Sequence, residues 1–168
     1  GEVLVRTRAF LGYLGGTGES AAGPCEFPTG DHGAFAANGH LQLSGRRKNL
    51  LITSFGRNVA PEWVEAALLA QPAIAQALVA GEARPWLAAL IVPMPAADTA
   101  AVAAAVACAN AGLPDYAQVR GWSAVAPFTP GNGQATGNGR PMRGAILSHH
   151  AAALAALYEA KEPHDVVL

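Results

Sequence analysis

An excess of charge of either sign is missing from this sequence: 11 lysines and arginines face 12 aspartates and glutamates, a formal net charge of -1 over 168 residues. With both signs scattered, there is no basic field for a nucleic-acid partner and no polybasic helix for a membrane surface. Cysteine is scarce as well. Cys25 and Cys108 stand far apart, without metal-ligand spacing or a paired framework, so no metal site is expected and a reducing, cytoplasmic compartment fits better than a secreted scaffold. No apolar run reaches transmembrane length, because the alanine-rich stretch 96–111 is interrupted by Asp98, Thr99, Cys108 and Asn110, and it reads as a soluble helix. A phosphate loop is lacking too. Gly12, Gly15, Gly16 and Gly18 cluster, but no Lys-Ser/Thr pair follows and the spacing fits no dinucleotide fingerprint, so residues 14–26 read as a surface loop. Apolar residues are abundant, at 51% of the chain, ample for one ordinary domain or a small domain with an attached remnant.

The densest stretch is 45–65, GRRKNLLITSFGRNVAPEWVE. Arg46, Arg47 and Lys48 feed into an apolar strand at Leu50, Leu51 and Ile52, which stops at Ser54-Phe55-Gly56, where glycine permits a turn or a close approach. Pro61 suits a first helical position, with Glu62 and Glu65 complementing the helix dipole, and the helix is predicted over 61–71, ending before Pro72.

Elsewhere, GEVLVRTRAF alternates like a strand from the first residue, and a natural chain rarely begins inside an element; the expectation is a piece of something longer. Residues 35–44 predict two short strands around an Asn38-Gly39 hairpin turn. Strands are predicted at 75–80 and 86–92, joined by the turn 81–85. A helix over 98–110 follows, with Asp98 as N-cap and Gly112 as stop. A helical turn at 116–120, a strand at 122–128, a Gly/Asn-rich loop from Pro130, and a last helix over 141–160 with Pro141 in its first position complete the pattern. That helix places Ile146, His150, Ala153, Leu154 and Leu157 on one face, with His150 packed and His149 solvated. Residues 162–168 read as a loose tail. The sum is an α+β fold.

Three motifs resemble the adenylate-forming (AMP-dependent) ligases, the superfamily of acyl-CoA synthetases, luciferases and adenylation domains. Gly45, Arg46, Lys48, Ile52, Gly56, Val59, Pro61, Val64 and Glu65 fall on the pattern with which those enzymes enter their small C-terminal domain. Trp63 departs from a common glutamate. Upstream, GEVLVR with Gly12-Tyr13, and then Thr29-Gly30-Asp31, resemble segments closing the large domain. Downstream, Asn132, Gly133, Thr136 and Arg143 match the last motif, but its lysine is Arg140 here. The run 81–92 looks most like the long-chain fatty acyl-CoA synthetase branch.

The resemblance implies a small C-terminal lid domain, with a short mixed sheet flanked by helices, over 45–168, preceded over 1–44 by strands left from a large N-terminal domain. It implies that Asp31 accepts from the ribose hydroxyls of the nucleotide, for which a two-oxygen acceptor is suited; taken alone, Gly30-Asp31 is also a simple turn. Arg46 would reach ribose and phosphate, Lys48 would be the hinge, and Gly56 with Arg57 would face the CoA channel. Arg140 would take the catalytic cation's place, although a planar guanidinium is not a compact ammonium. The implied substrates are ATP (leaving AMP), a fatty acid and CoA, with Mg held by the missing N-terminal domain, itself the partner of this piece. Alone, the piece is expected to be inactive. Loading of a carrier protein, or nucleotide binding without turnover, are the alternative functions.

Overall fold

The computed structural model describes residues 1–7 and 25–159, so Phe10 to Tyr13, the glycine cluster and the tail 162–168 lie outside the described residues. The chain forms two compact units, Gly1–Asn49 and Leu50–Leu168.

The first unit is an antiparallel sheet of β1 (Glu2–Thr7), β2 (Cys25–Phe35) and β3 (Leu41–Arg46), in that spatial order. The expected hairpin is there. The Ala36 amide donates to the His40 carbonyl at 2.9 Å, and Gly39 takes φ +79°, which a side chain would resist. The strand before it is longer than predicted, starting at Cys25, so Thr29, Gly30 and Asp31 lie within β2. Thr29 explains how a strand absorbs this bend: its hydroxyl donates to the Val3 carbonyl at 2.9 Å and accepts from the Asp31 amide at 3.1 Å, satisfying the backbone locally around Gly30, whose φ is +75°. A short 3-10 turn, Arg47–Asn49, closes the unit.

The second unit opens with a two-stranded hairpin, β4 (Leu51–Ile52) with β5 (Asn58–Val59). The second of these strands was not foreseen, being too short to show a period. Then come α1 (Pro61–Leu69), β6 (Ile74–Ala80), β7 (Leu87–Pro93), α2 (Thr99–Ala111) and β8 (Val119–Ala124), ending with α3 (Arg143–His149) and α4 (Ala151–Glu159). The sheet order is β6-β7-β8, antiparallel in the first pair and parallel in the second. The run LAALIV in β7 is buried throughout, because both faces of the sheet are covered. Leu87, Ala89 and Ile91 join Val64 and Leu68 of α1 and Val102 and Val106 of α2. Ala88, Leu90 and Val92 meet Phe128, Ile146, Leu154 and Leu157 on the other face.

Helix α2 is capped as read, the Asp98 carboxylate accepting from the Ala101 amide at 2.8 Å. Strand β8 begins three residues early and ends at Ala124, because pairing with β7 sets its register (Leu87 opposite Val119) and the Asn110 side chain holds both backbone groups of Val119, at 2.8 and 2.9 Å. Past Ala124, Pro127 has no amide to continue a ladder. Pro141 does not open a helix. It forms an isolated bridge with Ala135, and the Met142 amide donates to the Gln134 carbonyl at 2.8 Å, so the chain stays extended until Arg143. The last helix breaks at His150 (φ -101°, ψ 20°), where the ring meets the Gln134 side chain and lies edge-on to Phe128. The apolar stripe survives the break, with Ile146, Leu154 and Leu157 buried and His149 exposed.

Candidate functional site

In the first unit the register of β2 against β3 sets Asp31 opposite Arg46. Their side chains pair, Arg46 Nε to Asp31 Oδ1 at 2.9 Å, with the arginine about half exposed. Arg47 pairs with Glu2 at 3.1 Å. Glu2, Arg46, Arg47 and Lys48 border a shallow cavity of about 580 Å³, lined also by Pro28, Thr29 and Gly30. Three cations make a donor-rich rim for an anionic ligand, and the Asp31 carboxylate, paired with Arg46, can accept from hydroxyls. Arg46 and Lys48, singled out by one sequence motif, therefore line one cavity, and Asp31, singled out by another, is tied to it through its pair with Arg46.

Gly56 and Arg57 sit in the second unit, at the turn between β4 and β5. Gly56 has φ +72°, and no heavy atom among the described residues lies within 4 Å of where a Cβ would stand. Its glycine is demanded here by the torsion, not by a crowded wall. The turn is tied down by Thr53, whose hydroxyl accepts from the Arg57 amide at 3.2 Å, and by the neighbouring 81–85 turn, where the Ala83 amide donates to Ile52 at 2.8 Å and the Ser54 amide to Arg84 at 2.9 Å. Arg57 lies 5.7 Å from the Tyr116 ring centroid, a cation–π contact. Thr53, Phe55, Arg57, Trp86, Tyr116 and Arg120 line an open cleft of about 540 Å³. Arg57 over Tyr116, with Phe55 and Trp86 beside them and Arg120 held by Asp115 at 2.7 Å, suits a ligand that carries both an anion and a flat ring. The sequence reading reached Arg57 but missed Trp86, Tyr116 and Arg120. Only the three-dimensional meeting of two turns and a strand edge reveals them.

Arg140 stands at the end of a tight hairpin. The Thr136 amide donates to the Arg140 carbonyl at 2.8 Å, the Arg140 amide returns to the Thr136 hydroxyl at 3.0 Å, and Gly139 takes φ +81° between them. Thr129 and Asn132 form a reciprocal capping box at the hairpin's entry. The Arg140 residue is exposed, and among the described residues its guanidinium makes no hydrogen bond or ion pair. Arg143, three residues on, is the opposite case. Its guanidinium donates to the Val79 carbonyl at 2.7 Å and pairs with Glu65, whose carboxylate also accepts from the Val79 amide at 2.8 Å. Burial pushes the Glu65 carboxyl above its usual range, and the Arg143 charge and the hydrogen bonds offset this only in part. Both residues lie on the sequence motifs, yet their contact, 78 positions apart in the chain, was not foreseeable from spacing.

His150 is drawn below the ordinary histidine range, by burial first and by neighbouring His149 second. Among the described residues no cluster of three or more His, Cys, Asp or Glu could hold a metal ion, and no helix is long and apolar enough to cross a membrane.

The second unit is thus a mixed α/β domain that holds a cationic hairpin, and the first a strand pair that sets a carboxylate against an arginine. Residues 48–162 match the model of the AMP-binding enzyme C-terminal domain, and the chain belongs to that family. It is 48% identical over 65 residues to a long-chain-fatty-acid–CoA ligase of Mycobacterium tuberculosis, covering 39% of this chain and 11% of that protein. With a long-chain-fatty-acid–CoA ligase of Drosophila melanogaster it shares 35% identity over 96 residues, 54% of this chain and 14% of the relative. Among solved structures, the A-PCP didomain of a carboxylic acid reductase from Segniliparus rugosus, in complex with AMP, superposes with a TM-score of 0.70 at 32% identity, over 79% of this chain and 20% of that one. The chain thus spans between 11% and 14% of the length of these curated relatives.

Proposed function

We propose that this chain is the C-terminal portion of a cytoplasmic, ATP-dependent acyl-CoA synthetase that activates a fatty acid. In the first half-reaction a carboxylate oxygen attacks the α-phosphorus of ATP and pyrophosphate leaves; in the second a thiol attacks the acyl carbonyl and AMP leaves. The observation that carries this reading is the exposed Arg140 on its hydrogen-bonded hairpin, in a domain of the AMP-binding family. A cation held on a stiff loop can neutralise charge that develops as carboxylate and phosphate oxygens meet, at little reorganisation cost.

Asp31 and Arg46 are assigned to the nucleotide. Their pairing uses Asp31 Oδ1 and Arg46 Nε, which supports the reading that the other carboxylate oxygen accepts from ribose hydroxyls and the terminal guanidinium nitrogens donate to phosphate. Lys48 is assigned to the hinge over which the second unit reorients between half-reactions. Gly56 and Arg57 are assigned to the thiol substrate, with the aromatic cleft beside them taking part of CoA. The bare apolar faces of the first unit's strands call for a covering layer, which the rest of a longer chain would supply together with Mg and the acyl pocket.

The solved neighbour that contains a PCP module favours one alternative, loading of an acyl group onto a carrier protein. The deciding experiment supplies the full-length protein with ATP, Mg and a panel of fatty acids, then offers CoA or a phosphopantetheinyl carrier. Acyl-CoA with stoichiometric AMP is expected. Product on the carrier alone would replace the CoA assignment, and no acyl-dependent AMP with either acceptor would overturn the function.

A further inference from the structure

The Arg140 hairpin is held at both of its stems by side chains of α1 and β6, none of which carries an assigned role. At the entry stem, Gln76 of β6 grips the backbone of Phe128: its Oε1 accepts from the Phe128 amide at 2.8 Å and its Nε2 donates to the Phe128 carbonyl at 3.2 Å. At the exit stem, Arg143 reaches past the start of α3 to the Val79 carbonyl on β6 and to Glu65 on α1, which in turn accepts from the Val79 amide. The two clamps sit three residues apart on one strand. Between them the hairpin's own hydrogen bonds, Gln134 and Ala135 amides to the Thr129 carbonyl and Met142 amide to the Gln134 carbonyl, transmit the position of the stems to Arg140.

We infer that Gln76 and the Glu65–Arg143 pair are positioning residues, a two-point brace that fixes where the Arg140 cation stands for adenylation and contributes nothing comparable to thiol transfer. Arg143 is suited to this because one planar fork spans a backbone carbonyl and a carboxylate at once, which a lysine ammonium on a flexible stem cannot reproduce with the same direction. A buried ion pair is weak evidence for net stability but fixes geometry where its hydrogen bonds are satisfied, as they are here. The inference rests on the proposed role of Arg140.

The test uses the full-length enzyme in three forms: wild type, Arg143→Lys, and Gln76→Leu combined with Glu65→Leu and Arg143→Leu, which removes both clamps without stranding a buried charge. Two half-reactions are measured separately, acyl-dependent pyrophosphate exchange and thioester formation from supplied acyl-adenylate, together with amide hydrogen exchange at Gln134, Thr136 and Met142. Exchange activity is expected to fall by roughly 100-fold in the triple variant, as for an ångström-scale misplacement, and less in Arg143→Lys. Thiol transfer stays within about twofold of wild type, and the three amides lose protection while those of β7 keep theirs. Equal loss in both half-reactions, or unchanged hairpin protection, would overturn the brace. A wild type without pyrophosphate exchange whose hairpin still loosens in the triple variant would sink the proposed function and leave the brace standing.

Discussion

The two units solve the problem of burying apolar surface differently. In the second, a mixed sheet carries a layer of helices on each face, and Leu87, Ala88, Ala89, Leu90 and Ile91 are fully buried. In the first, none of the described residues is buried, and Leu4, Val5, Phe35, Leu41 and Leu43 are between 44% and 77% exposed. A sheet needs a second layer to be stable. The difference teaches that the second unit is built around its own core, whereas the described strands of the first carry apolar side chains that no described residue buries.

The contrast is broken most forcefully at the buried ion pair. Arg143→Leu leaves Glu65 buried without its partner, and urea denaturation of the second unit should show a loss of about 3–5 kcal/mol. The same variant carries a pH signature. Burial already favours the protonated Glu65 in the folded state, so this group's contribution is present below its unfolded value and is lost as pH rises through the raised folded one. Removing Arg143 takes away the main opposing influence and raises the folded value further. The variant should therefore lose more stability, relative to wild type, at pH 7 than at pH 5, and a deficit independent of pH would contradict this.

Truncation in the core sharpens the same contrast. Leu90→Ala should cost about 2–5 kcal/mol, by transfer and cavity terms together, while Leu43→Thr in the first unit should change stability by less than about 0.5 kcal/mol. Comparable losses at the two sites, in thermal melts of the chain, would mean that the first unit hides a core. The Asp31–Arg46 pair, being partly exposed, should contribute only about 0.2–1 kcal/mol to folding. Asp31→Asn should instead weaken AMP binding in the full-length protein, as read by calorimetry. A small effect of opposite sign is expected at Ala83, which takes φ +55° in the 81–85 turn. Ala83→Gly should relieve that strain and stabilise by about 1 kcal/mol or less.

Much of this was legible in the residues, and the misses share a cause. Helices α1 and α2 could be placed because Pro61, Asp98 and Gly112 mark their ends chemically. The strands β6 and β7 could be placed because apolar runs bounded by a turn leave few alternatives. The family motifs named Asp31, Arg46, Gly56, Arg140, Glu65 and Arg143 one by one. What they could not supply was pairing: the Asp31–Arg46 contact needs the β2/β3 register, and the Glu65–Arg143 contact needs α1, β6 and α3 already packed. Pro141 misled because proline favours both a first helical position and an extended bridge, and the Gln134–Met142 hydrogen bond decides for the second. The break at His150 had no sequence signal. No proline or glycine stands there, and the break coincides with the contacts of His150 with Gln134 and Phe128, which spacing does not show.

The central claim is that Arg140 acts as the adenylation cation from a braced hairpin, and acyl-dependent pyrophosphate exchange in the full-length protein tests it most directly, comparing wild type with Arg140→Ala and Arg140→Lys. Wild-type exchange that falls by roughly 100-fold or more in Arg140→Ala, as for the loss of a transition-state charge partner, and that Arg140→Lys recovers in part or in full, is the predicted result. Exchange that is unchanged by Arg140→Ala, or absent from the wild type and gained only with lysine, would contradict it.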